Sequence, residues 1–134
     1  MFRLTILAVL LLSIGQESRT AAQDGAEQPQ SPVPFAGSIV DADTRKPIAA
    51  RVYLQDAQGN WLFVRSASDQ GTAWPYAEAW VPMPDSVERH TTVSAHPFTI
   101  NLTPGEYQVL IERGKEYLPL KEKLIVPGVA ASPD

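Results

Sequence analysis

The sequence contains no cysteine, which excludes disulfide bonds, thiolate metal sites and cysteine nucleophiles. Any fold that it forms must be held together by packing and hydrogen bonds alone. It also has no excess of basic residues, since 11 Lys and Arg stand against 15 Asp and Glu for a net charge of −4 at pH 7. A nucleic-acid-binding surface needs clustered positive charge, so we expect no nucleic-acid partner.

No apolar run reaches the roughly 20 residues that a membrane-spanning helix needs. The longest, residues 4–14 (LTILAVLLLSI), follows a short positive start at Arg3, which is typical of a secretory signal peptide. Cleavage after Gly15 or after Ala22 fits the small-x-small rule, and we favour Ala22; the alternative is an uncleaved N-terminal anchor. The sequence therefore predicts a secreted or periplasmic protein that has no membrane contact once the leader, residues 1–22, is removed.

Helical periodicity is absent beyond the leader, whereas short strand patterns recur at roughly ten-residue spacing between turn residues. Residues 23–34 are polar and Pro-rich and predict a disordered linker, residues 35–127 predict the folded domain, and residues 128–134 predict a flexible tail. Antiparallel strands without helices to cover them must pack sheet on sheet. We predict an all-β fold, an antiparallel Greek-key β-sandwich of about seven strands.

The seven predicted strands share alternating or β-branched apolar residues, and they cover 35–40, 50–55, 61–64, 87–93, 98–102, 107–113 and 121–126. Two turns are predicted beside them, one at 56–60 and a type II turn at 103–106 with Pro104 and Gly105 in its centre. Residues 66–85 lack alternation and predict a long irregular insertion that carries several aromatic residues.

Two segments of the sequence resemble carboxypeptidase-regulatory-like domains. The first is 37–48 (GSIVDADTRKPI), which is followed by an Ala-x-Val-x-Leu strand, and the second is 98–109 (FTINLTPGEYQV). These belong to the transthyretin-like (prealbumin-like) β-sandwiches, and the resemblance covers about residues 35–127. Its motifs fix turns and core positions, so they imply a fold more than a function.

A narrower resemblance is carried by Ala50-Arg51-Val52-Tyr53 with Trp61 and by residues 88–98 and 112–117. These segments resemble the N-terminal accessory domain of secreted bacterial PHP-type metal-dependent hydrolases. In that family a hydrolase core with metal-binding histidines follows this domain, and no such core follows within these 134 residues. The resemblance therefore implies a non-catalytic accessory domain that supports, or was once fused to, a hydrolase.

The residues themselves also argue against catalysis. Hydroxyisourate hydrolases end in Tyr-Arg-Gly-Ser, whereas this chain ends in Ala-Ser-Pro-Asp, and intradiol dioxygenases hold iron with two Tyr and a His-x-His pair that this chain lacks. We predict no catalytic residue, no cofactor and no metal site.

The alternative, a small metal-dependent enzyme, would have to use Glu88, His90 and His96. Glu88 and His90 are two residues apart and share a strand face, but His96 would lie about 20 Å further along a straight strand at ~3.3 Å per residue. A shared ion would need a sharp bend before Pro97. The simpler interpretation makes His90 a surface histidine and His96 a hydrogen-bonded loop residue.

Trp74, Tyr76 and Trp80 are the predicted binding-surface residues, because exposed aromatic side chains stack on sugars or anchor protein interfaces. The competing interpretation is that Trp61 and Trp80 fill the core. We predict a protein partner, or a fused or adjacent hydrolase domain. The alternative is a free-standing adhesion module that binds carbohydrate or another surface.

Overall fold

The computed structural model describes residues 4–12, 30–79, 82 and 87–128. Four features of the sequence lie outside this part of the chain. They are the favoured cleavage site after Ala22, most of the predicted linker, the side chain of Trp80, and residues 129–134. The described residues contain no helix, so none of them forms one that could cross a membrane. The predicted all-β class is confirmed.

The described residues form eleven strands: β1 (Leu4–Leu12), β2 (Val33–Asp41), β3 (Ala50–Asp56), β4 (Trp61–Leu62), β5 (Arg65–Ser66), β6 (Ala73–Ala79), β7 (Val87–Val93), β8 (Phe98–Leu102), β9 (Gly105–Glu112), β10 (Tyr117–Leu118) and β11 (Leu120–Val126). One sheet has the order β10-β1-β2-β8-β5, and the other has the order β11-β9-β3-β7-β6 with β4 paired to β3. Every pairing is antiparallel except that of β1 with β10.

The core lies between the two sheets. Along β2, β3 and β9 the side chains alternate between buried and more exposed positions, because successive residues of a strand point to opposite faces. Buried side chains from both sheets form one cluster: Phe35, Ile39, Ala50, Val52, Leu54, Val64, Val93, Phe98, Leu102, Tyr107, Val109, Ile111 and Val126. The sandwich is therefore held by one apolar layer, as the absence of cysteine requires.

The connections between strands are tied by side chains. Asp56 accepts backbone hydrogen bonds from Gln58 and Asn60, at 2.9 and 2.8 Å, and Gly59 adopts a positive φ of 86°, so the predicted turn at 56–60 is confirmed. At the connection from β8 to β9, which passes from one sheet to the other, the hydroxyl of the buried Tyr107 donates to the backbone oxygen of Thr103 at 2.7 Å.

The turn before β9 differs from the prediction. Gly105 has a φ of 154°, far from the roughly +80° of the third residue of a type II turn. It already pairs with Val126, so the chain bends at Thr103 and Pro104 and resumes strand geometry at once. The type II prediction was wrong, because it used the Pro-Gly pair and took no account of this pairing.

The predicted irregular insertion at 66–85 was wrong over its middle part. Residues Ala73–Ala79 form β6, which pairs with β7 at seven residue positions. Pro75 lies within this strand, and a proline is tolerated there because β6 is the edge of its sheet. The predicted 61–64 strand is shorter than expected, since only Trp61–Leu62 form β4, which pairs with β3. The next strand, β5, begins after the predicted segment and pairs with β8 of the opposite sheet. Within the described part of residues 33–126, seven strands have five or more residues, which is the predicted number, although β6 is one of them in place of the 61–64 strand.

The apolar part of the predicted leader is a strand in this structure. Residues 6–12 of β1 pair antiparallel with Phe35–Asp41 of β2, and Leu4 and Thr5 pair parallel with Tyr117 and Leu118 of β10. The linker prediction ended two residues too late, because β2 already begins at Val33. That the leader is removed stays a prediction.

Candidate binding face on the six-stranded sheet

Polar and aromatic side chains cluster on the outer face of the six-stranded sheet, where β3, β7 and β6 lie side by side. The register pairs Tyr76 with His90 and places Arg51 opposite Thr92, so alternate residues of the three strands share this face. We call five of them the outer-face cluster: Arg51, Tyr53, Tyr76, Glu88 and His90.

His90 lies at the centre of the cluster. Its side chain is only 5% exposed, although it points away from the core. The Tyr76 ring stacks on the imidazole with centroids 5.0 Å apart and an interplanar angle of 21°, and the Tyr53 ring lies on it at 5.2 Å and 46°. Both distances fall within the usual range for contacts between aromatic rings. The interpretation of His90 as a surface histidine was therefore wrong, because two neighbouring strands cover it.

Glu88 connects the members of the cluster. Its Oε1 accepts a hydrogen bond from the Tyr53 hydroxyl at 3.0 Å and one from Arg51 Nη1 at 3.3 Å. His90 Nδ1 also lies 3.3 Å from this oxygen, but without hydrogen-bond geometry. Among the described residues, Nδ1 is the buried side-chain nitrogen or oxygen atom that has no hydrogen-bond partner. The other ring nitrogen, Nε2, lies 3.2 Å from Thr92 Oγ1.

Burial sets the protonation of the cluster. Desolvation lowers the pKa of His90 below its ordinary value of 6.5, and the nearby Glu88 carboxylate opposes this effect only in part. Desolvation likewise raises the pKa of Tyr53 to about 12. At neutral pH the cluster therefore presents a neutral imidazole and two protonated phenols beside one carboxylate–guanidinium pair.

The proposed metal ligands are only partly brought together. Glu88 and His90 are neighbours, but His96 lies in the loop between β7 and β8, where its Nδ1 is 3.0 Å from Ser94 Oγ. Its place as a hydrogen-bonded loop residue is confirmed. In the part of the chain that the structure describes, no group of three His, Asp or Glu side chains could hold a metal ion. A carboxylate and one imidazole fall short of the three or four ligands that zinc needs.

Trp74 extends the face beyond the cluster. Its side chain is 69% exposed, and it stands opposite Thr92 and two residues from Tyr76 on the edge strand. Of the three predicted binding residues, Trp74 and Tyr76 are thus placed on one face, while Trp80 lies outside the described residues. Trp61 is half-buried, but it is neither one of the core residues nor one of the partly buried side chains packed against the core.

Sequence reasoning missed Arg51 and Tyr53. The signal was present, since they alternate along β3 with the core residues Ala50, Val52 and Leu54 and must point outward together. Their contact with Glu88 could not be predicted, because it depends on the pairing of β3 with β7.

A surface cleft of about 630 Å³ adjoins the cluster, since it is lined by Arg51 of the cluster and by Thr92 next to it. The other charged residues along the cleft are Glu112, Arg113 and Lys115, so cations outnumber carboxylates. The Arg113 side chain is fixed by a 2.7 Å hydrogen bond to the Ala49 backbone oxygen and lies over the Tyr117 ring at 5.5 Å. The cleft thus adds a positively charged margin to the aromatic face.

Comparisons with known proteins found no match for this chain among protein-family models, curated proteins or solved structures. The resemblance to carboxypeptidase-regulatory-like domains and to the accessory domain of PHP-type hydrolases therefore stays a prediction.

Proposed function

We propose that this chain is an exported, non-catalytic β-sandwich interaction domain that binds a protein partner through the outer face of its six-stranded sheet. The observation that carries the proposal is the exposed Trp74 beside the outer-face cluster. A large exposed apolar side chain next to aromatic and Arg side chains is the composition of the centre of a protein interface.

The face is prepared for binding in two respects. Tyr53 is held by Glu88 and Tyr76 by its stacking on His90, so little side-chain entropy is lost when a partner covers them. The cleft that begins at Arg51 brings Arg113 and Lys115 to the margin of this face. A partner with acidic side chains around an apolar contact would match this arrangement, and a hydrolase domain is the partner that the sequence resemblance implies.

The proposal is tested by placing a photoreactive phenylalanine at position 74 of the chain in the producing organism. The matched control is the same residue at position 125, because Ile125 is 64% exposed and lies on β11, at the opposite edge of the same sheet. We expect one exported protein to be crosslinked from position 74 and not from position 125, and mass spectrometry identifies it. Equal crosslinking from both positions, or none from position 74, would contradict the proposal.

Carbohydrate binding is the second candidate. It is favoured by Trp74 and Tyr76, which are two residues apart on an edge strand and face the same side. Flat aromatic rings in such a row can stack on sugar rings. A glycan array distinguishes the two functions. Glycan binding that Trp74→Ala abolishes would support this candidate, whereas the absence of binding to any glycan would favour the protein partner.

A further inference from the structure

The edge of β2 is covered by a strand that the sequence predicts to be removable. Seven consecutive residues of β1, from Ile6 to Leu12, pair with Asp41 to Phe35 of β2. The same segment carries the apolar run of the predicted signal peptide. Its removal would therefore expose a seven-residue strand edge in the five-stranded sheet.

The backbone of β2 shows which groups would lose their partners. Ile39 accepts a hydrogen bond from the Ile48 backbone, and Asp41 donates one to Lys46, so both residues are directed away from β1. Successive residues of a strand point their backbone groups to opposite sides, so Ser38 and Val40 direct theirs toward β1. Unpaired N–H and C=O groups in such a row are costly, and they form a template for another strand.

The side chains of β2 define what can take the place of β1. Phe35, Gly37, Ile39 and Asp41 are buried, whereas the residues between them are half-buried. The register sets Leu12, Leu10, Ala8 and Ile6 opposite these four positions, so the seated strand is apolar at each of them. An occupant must therefore run antiparallel to β2, be extended, and be apolar at alternate residues.

Two other occupants fit this requirement poorly. Residues 23–32 (QDGAEQPQSP), which would begin the mature chain, are polar and contain two prolines. A second copy that paired its β2 symmetrically about Ser38 would place its own Asp41 opposite Phe35, where β1 has Leu12. It would therefore be charged at one of the four positions at which the seated strand is apolar.

We propose that, once the leader is removed, the edge of β2 accepts an extended apolar segment of a partner protein, which completes the five-stranded sheet in the place of β1. Strand addition of this kind supplies affinity through backbone hydrogen bonds and specificity through alternate side chains. The proposal rests on removal of the leader and is independent of the outer face, since β2 and β6 lie in different sheets.

The test begins with the full chain, with a specific protease site inserted between residues 13 and 29. After folding and cleavage, a labelled peptide LTILAVLLL with lysines at both ends is added, and binding is followed by fluorescence anisotropy. We expect saturable binding that displaces the released segment. We also expect slow hydrogen exchange at the Ser38 and Val40 amides with the peptide bound, and exchange at least tenfold faster when the edge is empty.

N-methylated peptides provide matched controls. Methyl groups on the amides corresponding to Leu7 and Val9 remove donors that face β2, because these residues pair with Val40 and Ser38. Their binding should be about tenfold weaker or more, since each hydrogen bond contributes ~1 kcal/mol. Methyl groups at the positions of Ala8 and Leu10 point away from β2 and should change binding much less.

The outcomes are distinct. If release of the segment unfolds the sandwich, refolding by the unmodified peptide and not by the Leu7/Val9-methylated one supports the proposal. Equal binding of both methylated peptides would overturn it, and so would β2 amides that stay protected without any peptide, including protection that arises from dimerisation. Trp74→Ala should leave peptide binding unchanged, so failure here is separable from failure of the outer-face proposal.

Discussion

Thr91 and His90 are neighbours on β7, and both are buried, but on opposite faces of the sheet. Thr91 is fully buried between the sheets, where its hydroxyl accepts a hydrogen bond from the Val64 backbone at 3.1 Å. His90 is covered from outside by Tyr53 and Tyr76. Burial on the inner face thus requires the second sheet, whereas burial on the outer face requires only neighbouring strands. The inner face should therefore control global stability, and the outer face should control local chemistry.

The largest effect is expected at the centre of the inner face. Ile111 has no exposed surface, so Ile111→Ala should leave a cavity and destabilise the protein by about 2–5 kcal/mol. Ile125→Ala is the control, because Ile125 is 64% exposed and its substitution should change stability by less than about 1 kcal/mol. Chemical denaturation of both variants measures the difference. Equal losses would mean that the inner face does not control stability.

A smaller effect is expected when only the hydrogen bond of Thr91 is removed. Thr91→Val keeps the volume of the side chain but leaves the buried Val64 N–H without its acceptor, at a cost of about 1–3 kcal/mol. Thr72→Val, at an exposed position, should lie within about 0.5 kcal/mol of the wild type. Urea unfolding midpoints provide the comparison, and an unchanged Thr91→Val midpoint would contradict this role of the hydroxyl.

The smallest effect is expected on the outer face, and it depends on pH. The folded-state pKa of His90 lies below the unfolded value of 6.5, so the unfolded chain takes up the proton first. His90 should therefore contribute less stability as the pH falls through 6.5 toward the folded-state value, and His90→Gln should remove this part of the pH dependence. Denaturation curves at a series of pH values measure it; a decline that His90→Gln leaves intact belongs to another group.

The same face offers a direct check on the cause of this pKa shift. Removal of the stacked ring in Tyr76→Ala should let water reach His90 and bring its pKa back toward 6.5. The folded domain should lose little stability, because this ring lies outside the core. An NMR titration of the imidazole in both proteins measures the shift, and identical curves would show that Tyr76 does not set it.

Most strands could be predicted from the sequence because they belong to the two-faced pattern of a sandwich. Alternation located β3, β9 and most of β2, which bury every second residue, and it located β7, β8 and β11 although their burial is less regular. It failed at β6, where Pro75 interrupts the pattern and only the pairing with β7 shows that the segment is an edge strand. It also failed at β1, because its residues are apolar apart from Thr5, and a run without alternation predicts a leader equally well.

The candidate site was predictable only in part, for the same reason. Trp74 and Tyr76 could be selected from their chemistry, and their placement on one face confirms that they are neighbours. The burial of His90 could not be predicted, because it is made by rings from two other strands whose registers are not local properties of the chain.

By itself, the sequence determined the all-β class, the inner rows of the core and the reliance on packing, because a two-residue period and the absence of cysteine are local facts. Tertiary structure alone decided which strands are neighbours. It therefore decided that Arg51, Tyr53 and Glu88 surround a buried His90, and that residues 6–12 cover the edge of β2. Strand pairing joins residues far apart in the chain, so contacts of this kind appear only once the sheets have formed.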